Sequence, residues 1–140
     1  MHSMMSEEKI YSGKKLVAII FRKDIKVSGL KFFTDSRNPF QIGIHNRPKG
    51  LKLKPHFHKL EKPLVIDTIQ EILMVQKGKI KVSLFSTSAK MLAQKILKAG
   101  DSILLISGGH GVEFLNQSII FEIKQGPYPG SKVAKRYITK

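Results

Sequence analysis

Apolar and polar positions alternate along most of this chain in short stretches, and glycine, proline and asparagine break them at spacings near ten residues. Leu16 to Phe21 is an unbroken apolar run of six, which predicts a strand buried on both faces. Phe40 to His45 alternates and predicts the next strand. Glu71 to Gln76 and Lys79 to Phe85 flank Lys77-Gly78 and predict a hairpin. Leu92 to Leu97 alternates less cleanly, and Ser102 to Ile106 is a short apolar strand after the turn Lys98-Ala99-Gly100-Asp101. His110 to Leu115 and Ile119 to Gln125 predict a second hairpin around Asn116-Gln117-Ser118. No stretch holds a helical period over ten residues. The pattern predicts an all-β sandwich or barrel.

The segment 51–58, Leu-Lys-Leu-Lys-Pro-His-Phe-His, carries the sharpest chemistry. As a strand it sends Leu51, Leu53, Pro55 and Phe57 to one face and Lys52, Lys54, His56 and His58 to the other. The two imidazoles then lie about 7 Å apart along one face. They can grip one metal ion or one small anion. Lys52 and Lys54 share that face and favour an anionic ligand at its mouth; as long amphipathic side chains they are equally suited to reaching solvent on a rim.

Composition narrows the function classes. A chain of 140 residues is long enough for one domain with a real core. No apolar run approaches the roughly 18 residues that cross a bilayer, and the N-terminus, with Glu7 and Glu8, does not read as a signal peptide. The absence of cysteine excludes disulfides and thiolate metal sites and agrees with a cytoplasmic setting. Twenty-five Lys and Arg against ten Asp and Glu give a net charge of +15, which points to an anionic partner. Only Arg22, Arg37, Arg47 and Arg136 are arginines, and the lysines are not interleaved with aromatics. That argues against nucleic acid and for a small anionic ligand.

Two blocks then stand in a specific spacing. Gly50, five residues, His56-Phe57-His58, and later Glu71, six residues, Gly78 form the first; Gly100 through Gly108 to His110 forms the second. This arrangement resembles the cupin family. Its first motif runs Gly, five residues, His-x-His, three or four residues, Glu, six residues, Gly. Its second runs Gly, five residues, Pro-x-Gly, two residues, His. Here twelve residues separate His58 from Glu71, Ile106 takes the proline place, His110 follows Gly108 after one residue, and Phe114 stands where the family often has Asn. A longer surface loop costs little entropy. Glu61 is a rival carboxylate without the glycine spacing.

The resemblance implies a jelly-roll-like double-stranded β-barrel over 16–125, with a flexible segment 1–15 and a tail 126–140 packed on the barrel or on a partner. It implies a metal site of His56, His58, Glu71 and His110 holding one divalent ion (Zn, Fe, Mn or Ni), ligands whose imidazole and carboxylate chemistry suits such ions. It implies an isomerase or epimerase of an anionic sugar, a nucleotide-sugar or sugar phosphate, with His56, His58 or His110 moving the proton. The alternatives are an Fe(II)-dependent dioxygenase of a small organic substrate, or a non-catalytic small-ligand or metal-binding module. The block 124–130 and Lys135-Arg136-Tyr137 look like the tail of sugar-active cupins. His45, Gln76, Gln94, Tyr128 and Arg136 are further candidates for lining or closing the cavity, and edge strands favour a homodimer.

Overall fold

The computed structural model describes residues 6–60 and 66–139. The strands, in chain order, are β1 (Glu8–Ser12), β2 (Lys15–Phe21), β3 (Gly29–Phe32), β4 (Gly43–Asn46), β5 (Glu71–Lys77), β6 (Lys79–Phe85), β7 (Met91–Lys98), β8 (Ser102–Leu105), β9 (Gly109–Phe114) and β10 (Ile119–Lys124). A single helical turn, α1 (Ser131–Ala134), follows. Among the described residues no helix is long and apolar enough to cross a membrane. The chain divides into two compact units, one of Met1–Ile25 with Thr68–Lys140 and one of Lys26–Asp67. All-β is the observed class, and the sheets are not closed into a barrel.

The larger unit holds a five-stranded antiparallel sheet in the order β1-β2-β8-β5-β10 and a three-stranded sheet in the order β7-β6-β9. The apolar run of β2 lies between β1 and β8, and Val17, Ala18, Ile19 and Ile20 are buried on both of its faces. In β6 the alternation is one-sided: Ile80, Val82 and Leu84 are fully buried, while Lys79, Lys81 and Ser83 point away from them. These side chains meet Leu73, Val75, Leu97, Ile103 and Leu105 in one core. Each such burial stabilises by about 1.5–3 kcal/mol.

Three sequence expectations are corrected here. Glu8–Ser12, within the polar lead 1–15, is a strand; it looks polar because β1 is an edge that buries only Ile10. The two expected hairpins are corners instead. β5 and β6 belong to different sheets, as do β9 and β10, so the chain crosses the core at Gly78 and again at 116–118. In the larger unit the consecutive strands that pair are β1 with β2 and β6 with β7. The β7–β8 turn is fixed by Asp101, whose carboxylate accepts the Lys98 N–H at 2.9 Å and the Lys23 N–H at 2.8 Å. Arg22 ties that carboxylate, at 3.2 Å, to Glu8 of β1, at 2.6 Å.

In the smaller unit β3 and β4 pair antiparallel, with Leu30 opposite His45. A turn follows, closed by the Leu51 N–H to the Pro48 carbonyl at 3.3 Å. The stretch 51–58 is not a strand, contrary to its alternation, and every residue from 45 to 60 is exposed. Alternation places side chains but supplies no hydrogen-bond partners, and Pro55 removes one of the donors a ladder would use.

Candidate functional site

Glu71 opens β5, and the register sets Lys124 of β10 and Leu105 of β8 beside it. His110 is the second residue of β9, opposite Leu84 of β6. The two sheets bring these side chains face to face: Glu71 Oε2 lies 3.5 Å from His110 Nε2, with Glu71 only 13% exposed. Two residues from the two separated motifs therefore meet.

Glu122, two residues before Lys124 on β10, is a functional residue the motif reading missed. The β5–β10 register sets it diagonally across from Glu71. Burial pushes the Glu71 carboxyl up to about 7, and its interaction with Glu122 pushes the same way against Lys124 and Lys135. Glu122 is held below the ordinary carboxylate value by its interaction with Glu71 and by Lys124 and Lys135, against its own burial. Burial also lowers His110, opposed by Glu122 and assisted by Lys124 and Lys135. The only sequence trace of Glu122 was a lone carboxylate inside the apolar run of β10.

Basic groups rim the pair. Lys124 Nζ lies 3.3 Å from Glu122 Oε2 and 5.2 Å from the centre of the Tyr128 ring. The Tyr128 hydroxyl is 2.5 Å from Ser131 Oγ, which joins Tyr128 to the turn of α1. Beyond α1 the tail returns to β9, where Ile138 packs so closely over Gly109 that a Cβ there would sit 2.6 Å from its Cδ1. Ile138 thus lies against β9 at the residue before His110.

His56 and His58 lie in the smaller unit, exposed, with ring centroids 4.9 Å apart. His56 Nδ1 is 2.8 Å from the Lys54 carbonyl. That contact needs a proton on Nδ1 and leaves Nε2 with a free lone pair, the arrangement of a metal-ligating imidazole. Lys52, Lys54, His45, Gln76 and Arg136 are exposed, and Gln94 bonds Ser83 at 3.1 Å. Glu61 lies outside the described residues. The structure thus brings together Glu71 with His110 and His56 with His58, one pair in each unit. Among the described residues no three His, Asp or Glu side chains gather as a group able to hold a metal ion. The donors themselves, imidazole nitrogens and a carboxylate oxygen, suit Zn, Fe, Mn or Ni.

Compared with known proteins, the chain matches no family model, no curated protein and no solved structure.

Proposed function

We propose that this chain is a cupin-type enzyme that moves a proton on a small anionic sugar, as an isomerase or epimerase. The observation that carries the reading is the 3.5 Å approach of His110 and Glu71, an imidazole and a carboxyl on facing sheets. Neutral His110 takes the proton from the carbon beside the substrate carbonyl. Glu71, whose carboxyl burial pushes up to about 7, gives one to the carbonyl oxygen, and reversal at the neighbouring carbon completes the transfer. Lys124 and Lys135 favour a substrate of negative charge.

The ligands proposed for one divalent ion are His56, His58, Glu71 and His110, of which Glu71 and His110 lie 3.5 Å apart. Such an ion, when bound, would supply Lewis-acid stabilisation of the enediolate oxygen.

The test is deuterium uptake from solvent at the carbon beside the carbonyl, followed by NMR with sugar phosphates and 4-keto nucleotide-sugars, with and without added divalent metal. Uptake should fall at least about a hundredfold in His110→Ala and in Glu71→Gln. Unchanged rates in both variants would remove the proposal.

A further inference from the structure

In the smaller unit the stretch 47–60 exposes positive charge and apolar surface together. Arg47, Lys49, Lys52, Lys54 and Lys59 fall within it, and no Asp or Glu does. All five are exposed, and among the described residues none of them makes an ion pair. Between them stand Leu51, Leu53, Phe57 and Leu60, all exposed, and Phe57 at 97% touches almost nothing of the protein. Single exposed apolar side chains are ordinary, but four within ten residues form a patch. After the bond from the Leu51 N–H to the Pro48 carbonyl, no backbone-to-backbone hydrogen bond holds 52–60 among the described residues. The segment is free to lie along a surface.

Five unpaired cations call for an extended anion, and the apolar side chains decide which kind. A nucleic acid answers the charge and stacks on Phe57, but leaves Leu51, Leu53 and Leu60 in water. A bilayer with anionic headgroups answers both. Its acyl boundary takes the leucines and the phenylalanine, while the long lysine and arginine stems reach back to the headgroups. We infer that 47–60 is a docking segment for an anionic lipid surface, with Phe57 as its principal apolar anchor. It lies on the bilayer and does not span it. The inference stands apart from the proton-transfer reading, because it uses the basic and apolar side chains of the segment and not its imidazoles.

The probe is phosphatidylcholine vesicles, with and without about a third phosphatidylserine, sedimented with the full chain at fixed ionic strength. Binding to the phosphatidylserine vesicles is expected, at least about tenfold tighter than to phosphatidylcholine alone and weakened by added salt. Phe57→Ala should weaken it about tenfold or more, and Lys52→Gln or Lys54→Gln about fivefold each. These side chains are exposed, so the variants should keep the wild-type Tm. Lys132→Gln, exposed on α1 of the larger unit, should leave binding unchanged. The chain has no tryptophan, so Phe57→Trp reports insertion directly, and its emission should move to shorter wavelength on the phosphatidylserine vesicles. Absence of sedimentation with those vesicles overturns the inference. Binding that Phe57→Ala leaves intact also overturns it, as does equal weakening by Lys132→Gln, since both mark diffuse charge. Emission of Phe57→Trp that is quenched by single-stranded oligouridine and unmoved by vesicles reassigns the segment to nucleic acid and overturns the bilayer.

Discussion

Ser118 and Lys79 join the two corners at which the chain crosses the core. The Ser118 hydroxyl accepts the Lys79 N–H at 3.0 Å and lies 3.2 Å from the Lys79 carbonyl. Lys79 begins β6 just after the β5 corner, and Ser118 precedes β10. One hydroxyl thereby fixes the relative position of the strands that carry Glu71, His110 and Glu122.

Ser118→Ala should therefore destabilise the fold by about 1 kcal/mol, the net contribution of such a hydrogen bond. Gly78→Ala should cost more, roughly 2–4 kcal/mol. Its φ is +92°, and a Cβ would meet Gln117 O at 2.5 Å. Urea unfolding followed by circular dichroism measures both, and equal stabilities of the two variants would show that the corners are not in contact.

Folding stability should carry the mark of Glu71. Its folded-state carboxyl stands at about 7, above the ordinary 4.5, so the protonated form is favoured by folding. The stability it contributes is fully present below about 4.5 and is lost as pH rises through 7. His110, lowered by burial, acts oppositely below its ordinary 6.5, and Glu122 adds stability above its own lowered value. The difference between wild type and Glu71→Gln isolates the first contribution. In chelator-treated protein, wild type should lose stability relative to Glu71→Gln between pH 5 and pH 8. A difference independent of pH would place the Glu71 carboxyl in water.

Much of this was legible in the chain. The run 16–21 announced a strand covered on both faces, and Glu71 and His110, in two separated motifs, do meet. What was not legible is non-local. A glycine turn between two apolar stretches reads as a hairpin whether the second strand stays in its sheet or crosses to another, because the turn chemistry is alike. Only the partners of β6 and β10 decide. Glu122 gained its role from the β5–β10 register, which sets Glu71 diagonally across from it. The alternation of 51–58 described a face, and a strand needs a neighbour as well.

Amide hydrogen exchange tests that absence of a neighbour directly. The amides of 51–58, exposed and outside any strand, should exchange near the rate of the unfolded chain, while those of β6, paired to β7 on one side and β9 on the other, should be protected at least about a hundredfold. Strong protection of alternate amides in 51–58 would overturn this reading of the segment.

Metal binding separates one site from two. Zn or Ni in hundredfold excess over its Kd should stabilise the folded chain by about 2.7 kcal/mol, readable as a rise in Tm. If His56, His58, Glu71 and His110 act as one ligand set, removing any one of them abolishes most of that rise. The His56→Ala and His110→Ala effects are then not additive, since the second loss finds a site already broken. If the pairs act apart, each of these variants removes only its own share, and the double variant sums the two. The tautomer imposed by the Lys54 carbonyl leaves His56 ready to bind through Nε2, so His56→Gln, which keeps size and polarity, should behave like His56→Ala. A Tm rise that survives all four single substitutions would assign the metal to other groups and leave proton transfer to Glu71 and His110 alone.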